Sequence, residues 1–347
     1  MKPPAQYVAA SASPLTGELA ILRGIRARAQ RTHPGGLSLG IGDDCALLNP
    51  RWGEEIAVTT DLSIAGRHFR LDWHSPRSVG HRALARGLSD LAAMGARPVA
   101  AFLSLALPRE LTERQGKKPA WVEGFLEGLL ALAAEYKTPL AGGDLAEAPL
   151  AMADIILTGA VPRGKALLRS GARVGDRIYV TGTLGGAAQG LRQLAKLAEA
   201  RKAGGLPPRI PRRLEASLTP HLWPQPRLAQ GLWLRKRGLA SAAIDLSDGL
   251  SSDLAHLCEE SGVGAEVDAA ALPLHPGSTL AEALHGGEDY ELLFTAPAKA
   301  KIPGSIATVA ITPIGRIVKA RTGQAMVRLL SAEGEQPLLP RGWEHFV

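Results

Sequence analysis

Acidic residues recur in this chain at the ends of apolar runs, beside glycine or a small hydroxyl residue. Gly40-Ile41-Gly42-Asp43-Asp44 sets two adjacent carboxylates after glycines, and Thr59-Thr60-Asp61 closes an apolar run about seventeen residues later. Ser89-Asp90, Gly142-Gly143-Asp144, Asp245 to Gly249 and Gly286-Gly287-Glu288-Asp289 repeat the design. One such stretch is an ordinary turn, because Asp and Gly are turn residues. Six in one chain are harder to attribute to turns. Two carboxylates about 4 Å apart repel by roughly 4 kcal/mol at an effective dielectric of about 20, so gathered acids need a cation or water.

Oxygen donors of this kind suit Mg²⁺ rather than zinc. The histidines show no HExxH or similar zinc spacing. Mg²⁺ is usually held by a few carboxylates together with substrate phosphates, so the pattern points to polyphosphate chemistry. A Walker A loop and a protein-kinase Gly-rich loop are both missing from the sequence, so a nucleotide site here is of another type.

Strands and helix starts must position these acids. Ala46 to Leu48 and Ile56 to Thr60 are expected to be strands, with a loop over Asp61 to Phe69 that carries Gly66 and His68. Ser75-Pro76 is a helix start, and the helix is expected to run to about Met94 and stop at Gly95. Asp90 lies on the flank of its Leu84, Leu88, Leu91 stripe, and Gly87 is expected to leave room beside it. Helices are also expected over Glu18 to Arg31 and Trp121 to Tyr136. Strands are expected over Val99 to Leu107, Leu140 to Asp144 and Ala153 to Val161. Pro162 to Gly175 reads as a domain boundary, giving units of 1–162 and 163–347.

In the second half, Ile178 to Thr181 is a strand. Gly182 to Gly190 then resembles a phosphate loop without its Gly-Lys-Ser/Thr ending, which favours a plain tight turn. Arg201 to Pro226, rich in proline, reads as a mobile excursion. Ala242 to Asp245 ends a strand, and Ser247-Asp248-Gly249 opens a helix. One aspartate there could cap the helix. Asp253, further in, is expected to be solvated.

The chain has 347 residues, 46% hydrophobic, 21% charged and only 4% aromatic, with net charge +7. That composition fits one large or two ordinary globular domains with an aliphatic core. The positive charge fits a solubilising surface or attraction to anionic metabolites. Nucleic acid is disfavoured as a partner, because the basic residues form no stripe with stacking aromatics. Cys45 and Cys258 follow no metal-ligand spacing and are expected to be reduced, buried and inert, as in a cytoplasmic protein. No apolar run reaches the roughly 18 residues of a membrane span, and no signal peptide is evident.

At these acidic residues the sequence resembles the thiamine-monophosphate kinase family, within the group that includes aminoimidazole ribonucleotide synthetase, selenophosphate synthetase and a hydrogenase-maturation protein. The motifs are GIGDDCALL, TTDLSIAGRHF, LSDLAAMGARP, AGGDLA, LLRSGARVGD, AIDLSDGLSSDL, GGEDYELLF and GWEHF, spread from about Gly17 to Phe346. The resemblance implies a two-domain α/β (α+β) subunit. Its N-terminal domain contributes strands to a barrel shared in a homodimer. It implies Mg²⁺-dependent transfer of the ATP γ-phosphate to thiamine monophosphate, the last step of thiamine diphosphate formation. By motif it implies Asp44, Thr59, Thr60, Asp61, Asp90, Asp144, Asp245 and Asp248 as Mg²⁺ ligands. Gly143, Asp144, Arg169 and Ser247 match positions that contact ATP. His68, Glu288 and Trp343 match positions that contact thiamine phosphate. No side-chain nucleophile is implied. Gly87 and Leu145 depart from the Asn and Thr common in relatives.

Within the group, no cysteine precedes Cys45 and none ends the chain, which disfavours the selenophosphate and hydrogenase-maturation activities. Aminoimidazole ribonucleotide synthetase is the enzyme alternative. A non-catalytic nucleotide or thiamine-phosphate sensor would need fewer acids, and a nucleic-acid-binding protein would bind with strong salt dependence.

Overall fold

A computed structural model describes residues 36–39, 45–114, 116, 118–200, 207, 209–321 and 323–342, together with 21, 24, 25, 27 and 28. Asp43, Asp44 and Trp343 lie outside the described residues. Of the expected first helix, the described residues are helical, with Ile21 and Ile25 buried and Arg28 exposed.

The first half builds a small hairpin and a four-stranded sheet. The hairpin pairs β1 (Leu37–Leu39) with β2 (Leu47–Leu48). The sheet has β3 (Glu54–Ile64), β4 (Arg97–Leu107), β5 (Leu140–Glu147) and β6 (Met152–Pro162) in the order β3-β6-β4-β5, parallel only between β4 and β5. Helices α1 (Pro76–Ala93) and α2 (Trp121–Glu135) cover one face. The α1 start follows the sequence: the Ser75 hydroxyl accepts the Ser78 N–H at 3.1 Å, Pro76 occupies the first turn, and Gly95 beyond the end has φ +61°. Leu84, Leu88 and Leu91 sit in the main core with Phe125 and Leu129 of α2. Gly80 and Gly128 lie where any side chain would strike the facing helix backbone, so the two helices cross at close range.

The second half forms a larger mixed sheet. Its strands are β7 (Arg177–Thr181), β8 (Ala242–Asp245), β9 (Gly264–Asp268), β10 (Leu292–Ala296), β11 (Ser305–Ile306), β12 (Val309–Val318), β13 (Val327–Ser331) and β14 (Gly334–Pro337). The order is β14-β13-β9-β12-β7-β10-β8, with β11 paired to β12. Helices α3 (Gly186–Glu199), α4 (Arg212–Leu222), α5 (Leu228–Arg237), α6 (Leu250–Ser261) and α7 (Leu280–His285) surround it. One core gathers Leu250, Leu254 and Leu257 of α6 beneath β7, β8 and β10, and another gathers Leu234 of α5 with Tyr179 and Phe294.

Helix α1 joins the two halves. Gly231 of α5 lies against the Ala92 carbonyl, and the Arg235 guanidinium donates to the Gly95 carbonyl at 2.6 Å. Four expectations are corrected here. The 201–226 stretch holds α4, whose Leu218 and Leu222 are buried with Leu194 and Trp73. Asp253 is buried, not solvated; its carboxylate accepts the N–H groups of Asp248 and Gly249 at 3.1 and 3.0 Å. Gly87 opens no space, because a Cβ there would lie 2.5 Å from Leu157 Cδ1. Cys45 is exposed, whereas Cys258 is buried as expected.

Candidate active site

Strand alternation decides which acids can meet. Along β3, Thr59 and Asp61 point toward α1, while Thr60 falls on the opposite, exposed face. The Thr59 hydroxyl donates to Asp90 Oδ2 on α1. Asp245 ends β8 and reaches back across the domain junction, where the Ser89 hydroxyl donates to its Oδ2 at 2.7 Å. Ser247 and Asp248 follow in the turn before α6. That turn is held by Asp253 below it and by the Glu288 N–H, which donates to the Ser247 carbonyl at 2.7 Å. The loop after β3 brings His68 alongside, its Nδ1 accepting the Ile64 N–H at 3.1 Å. Asp61, His68, Asp90, Asp245, Ser247, Asp248 and Glu288 line a cavity of about 520 Å³ between the two halves.

The cavity lining is of two chemical kinds. Asp61, Asp90 and Asp245 lie close enough to act on one another and form an acidic cluster, with Asp248 also in the lining. Phe69, Trp73, Leu191, His74 and His221 supply aromatic and apolar surface, with Glu288 and Tyr290 also on the wall. Glu288 and Tyr290 have φ of +67° and +50°, a left-handed backbone that non-glycine residues adopt at a cost. Strain of this kind concentrates at functional sites.

Burial and mutual repulsion dominate the acidic cluster. Burial, then the Asp90 carboxylate, pushes Asp61 up to about 7, against a smaller pull from Arg86. Burial likewise raises Asp90, offset in part by the Thr59 hydroxyl and the Arg169 and Arg86 guanidinium groups. Asp245 is raised well above the carboxylate range by burial and by Asp90. Asp61 Oδ2 is buried without a hydrogen-bond partner. The three carboxylates outnumber the Arg86 and Arg169 guanidinium groups beside them, which fits a hard divalent cation. Among the described residues, no three acidic, His or Cys side chains converge as a complete cage. An Mg²⁺ ion needs only one or two of them beside phosphates and water.

Other sequence-expected residues lie elsewhere. Gly143 and Asp144 are on β5, the far edge of the sheet, and line no part of the cavity. The register runs Asp144, Ser104, Asp154, Leu62 across the strands. Three strand spacings, about 14 Å, therefore separate Asp144 from the β3 row. Arg169 is exposed, yet near enough to lower Asp90. Of the Gly182 to Gly190 stretch, 182–185 form the turn and Gly186 onward is already α3. Asp289 fills the start of α3, accepting the Gly185 and Ala187 N–H groups at 2.6 and 2.9 Å.

Sequence reasoning missed Arg86, Trp73, His74, His221 and Tyr290. Arg86 Nη2 lies 3.5 Å from Asp61 Oδ1, a cation built into the acidic wall. Its place on α1, four residues before Asp90, was the available signal, since i and i+4 share a helix face. The two histidines are 147 positions apart and carried no local signal.

Two family models cover most of the chain. Residues 42–161 match AIR synthase related protein, N-terminal domain, and residues 173–328 match the C-terminal domain of the same family. Thiamine-monophosphate kinase of Escherichia coli (strain K12) is 42% identical over 326 residues, covering 89% of this chain and 92% of that protein. The chain belongs to the thiamine-monophosphate kinase family. Solved structures agree with that membership. The family's enzyme from Stenotrophomonas maltophilia K279a superposes with a TM-score of 0.74 at 38% identity, over 88% of this chain and 94% of that one. A structure described as AaThiL complexed with AMPPCP and TMP has a TM-score of 0.72 at 30% identity, over 95% and 97%. The two-domain α/β architecture expected from the sequence is thus the family's fold. No helix among the described residues is long and apolar enough to cross a membrane.

Proposed function

We propose that this protein transfers the γ-phosphate of ATP to the phosphate of thiamine monophosphate, giving thiamine diphosphate and ADP. One observation carries the reading. The chain matches curated thiamine-monophosphate kinases over nine-tenths of their length, and its interdomain cavity has an acidic cluster for a metal-bound polyphosphate and aromatic surface for an organic ring.

A phosphate oxygen of thiamine monophosphate attacks the γ-phosphorus, and the bond to the β–γ bridging oxygen breaks. ADP leaves with that electron pair. The attacking oxygen is already anionic near neutral pH, so no general base is required. Bound Mg²⁺ supplies charge neutralisation between the two anionic reactants. Asp61, Asp90, Asp245 and Asp248 would hold it. Thr59 fixes Asp90 within the first half, and Ser89 fixes Asp245 of the second, so the packing of the two halves sets Asp245 beside Asp90. Arg169 and Arg86 suit phosphate oxygens through the planar guanidinium. His68 and Glu288 would meet the organic part of the substrate, where Trp343 supplies a stacking ring in this reading. Ser247 would contact ATP beside Asp248.

The reading treats residues 1–162 and 163–347 as the two working units and the protein as a homodimer. The outer face of β3 supports association, because Ile56, Val58 and Leu62 are exposed there in alternation. On this reading Thr60, on that same face, and Gly143 and Asp144, at the opposite sheet edge, serve a site shared with a second copy. The test mixes purified protein with MgATP and thiamine monophosphate and measures thiamine diphosphate and ADP. Equal amounts of both are expected, with loss of both on chelation. A folded protein that binds ATP but forms neither product across a range of Mg²⁺ refutes the proposal.

A further inference from the structure

A buried line of polar side chains runs from the first half of the chain into the Glu288 turn. His74, just before α1, and His221, near the end of α4, are both buried, with their Nε2 atoms 2.9 Å apart. Only one of two neutral rings can supply the proton between them. His74 Nδ1 lies 3.1 Å from the Arg70 N–H and 3.2 Å from the Arg70 carbonyl, so Arg70 accommodates either tautomer. The other end of the line selects one: His221 Nδ1 faces the Glu288 Oε2 that accepts from Arg82, and an acceptor there calls for a proton on that nitrogen, so His74 donates from Nε2 and its Nδ1 accepts the Arg70 N–H. His221 Nε2 is then the acceptor, and the His221 proton sits on Nδ1.

That Nδ1 is buried, has no hydrogen-bond partner, and lies 3.7 Å from Glu288 Oε2. The same Oε2 accepts the Arg82 guanidinium at 2.6 Å. Arg82 is buried, whereas the Glu288 side chain is 26% exposed and reaches the cavity. His81 Nε2, 2.9 Å from the Pro224 carbonyl, pins the segment after α4 onto α1. Burial first, and Arg82 second, keep both imidazoles neutral.

We infer that His221, oriented by His74, is a positioning residue that aims the Glu288 carboxylate at the organic end of the substrate. Arg82 fixes one direction of that carboxylate, and an N–H from a second direction removes its remaining rotation. The gap of 3.7 Å is one that closes when a ligand pulls Glu288 into place, since such bonds are often long before the site fills. The ligand class is a cationic, amino-bearing heteroaromatic ring, for which a fixed carboxylate is both counter-charge and acceptor. The inference rests on the thiamine monophosphate reading of the cavity.

The test is a double-mutant cycle on steady-state kinetics. His221→Phe is expected to raise KM for thiamine monophosphate about tenfold, the worth of one hydrogen bond to a charged group, while KM for ATP moves less than about twofold. His221→Gln, which keeps an N–H donor, recovers most of the loss. In a Glu288→Gln background, adding His221→Phe changes KM by less than about twofold, because the histidine acts through the carboxylate. Additive losses in both backgrounds overturn the inference, as does an unmoved KM in His221→Phe. A folded wild-type protein that makes no thiamine diphosphate overturns the substrate reading, and this inference with it. Imidazole nitrogen NMR of the wild type reads the line without turnover: His74 protonated on Nε2 and His221 on Nδ1, both neutral near pH 7. The reversed tautomers, or a charged ring, overturn the inference even if every variant misfolds.

Discussion

Asp61→Asn separates what the acidic wall costs the fold from what it does for catalysis. Burial and Asp90 hold the Asp61 carboxyl at about 7, against 3.8 in an unfolded chain. The folded state therefore binds the proton more tightly than the unfolded state does. Stability from this group is complete below the unfolded value, falls as pH rises from about 4 to about 7, and stays low above that. Three pH decades at about 1.4 kcal/mol each give a cost of about 4 kcal/mol at pH 8 in metal-free protein. Asn keeps the shape without the charge, but presents an amide to Arg86 where a carboxylate stood, so we expect a net gain of about 2–4 kcal/mol. In a chain of this size that raises Tm by roughly 5 °C. The assay is thermal unfolding with chelator at about pH 8 and again near pH 4, where the two proteins converge. Excess Mg²⁺ shrinks the gap at pH 8, since a cation satisfies the wild-type carboxylate. Turnover of Asp61→Asn is expected to fall by orders of magnitude. An Asn variant that melts below wild type in chelator at pH 8 refutes the claim that burial and repulsion from Asp90 outweigh the Arg86 pair at this wall.

Two further substitutions probe what positions the acids. Gly87→Ala puts a methyl group against Leu157 and should cost about 1–2 kcal/mol despite its better helix propensity. Denaturant unfolding of Gly87→Ala, Leu157→Ala and the double variant should show a coupled, less than additive loss; simple additivity contradicts the packing described. Asp253→Ala leaves the Asp248 and Gly249 N–H groups without an acceptor and should cost about 1–2 kcal/mol. Because that turn carries Ser247 and Asp248, its kcat should fall more than a stability loss explains; unchanged kcat at a temperature where the variant is fully folded would show the turn stands without Asp253.

What the sequence determined by itself was local. The Ser75-Pro76 start and the Gly95 stop of α1 are set by backbone groups within one turn, and both are where the residues place them. The strands at Ile56, Val99, Ala153, Ile178 and Ala242 follow from apolar runs and their boundaries. The suspicion that gathered carboxylates need a cation follows from charge alone. Assembly lay beyond that reach. Asp245 meets Ser89 across 156 positions and His74 meets His221 across 147, contacts fixed only when the halves pack along α1. Three local readings failed for the same reason. Gly87 read as open space until Leu157 of β6 filled it. Asp253 read as solvated until the turn before α6 folded over it. The proline-rich stretch read as loose until Trp73 and Leu194 gave α4 a surface to bury. Residue type and spacing set which groups need a partner, but a partner far along the chain is chosen by sheet register and helix crossing, which exist only in the folded molecule.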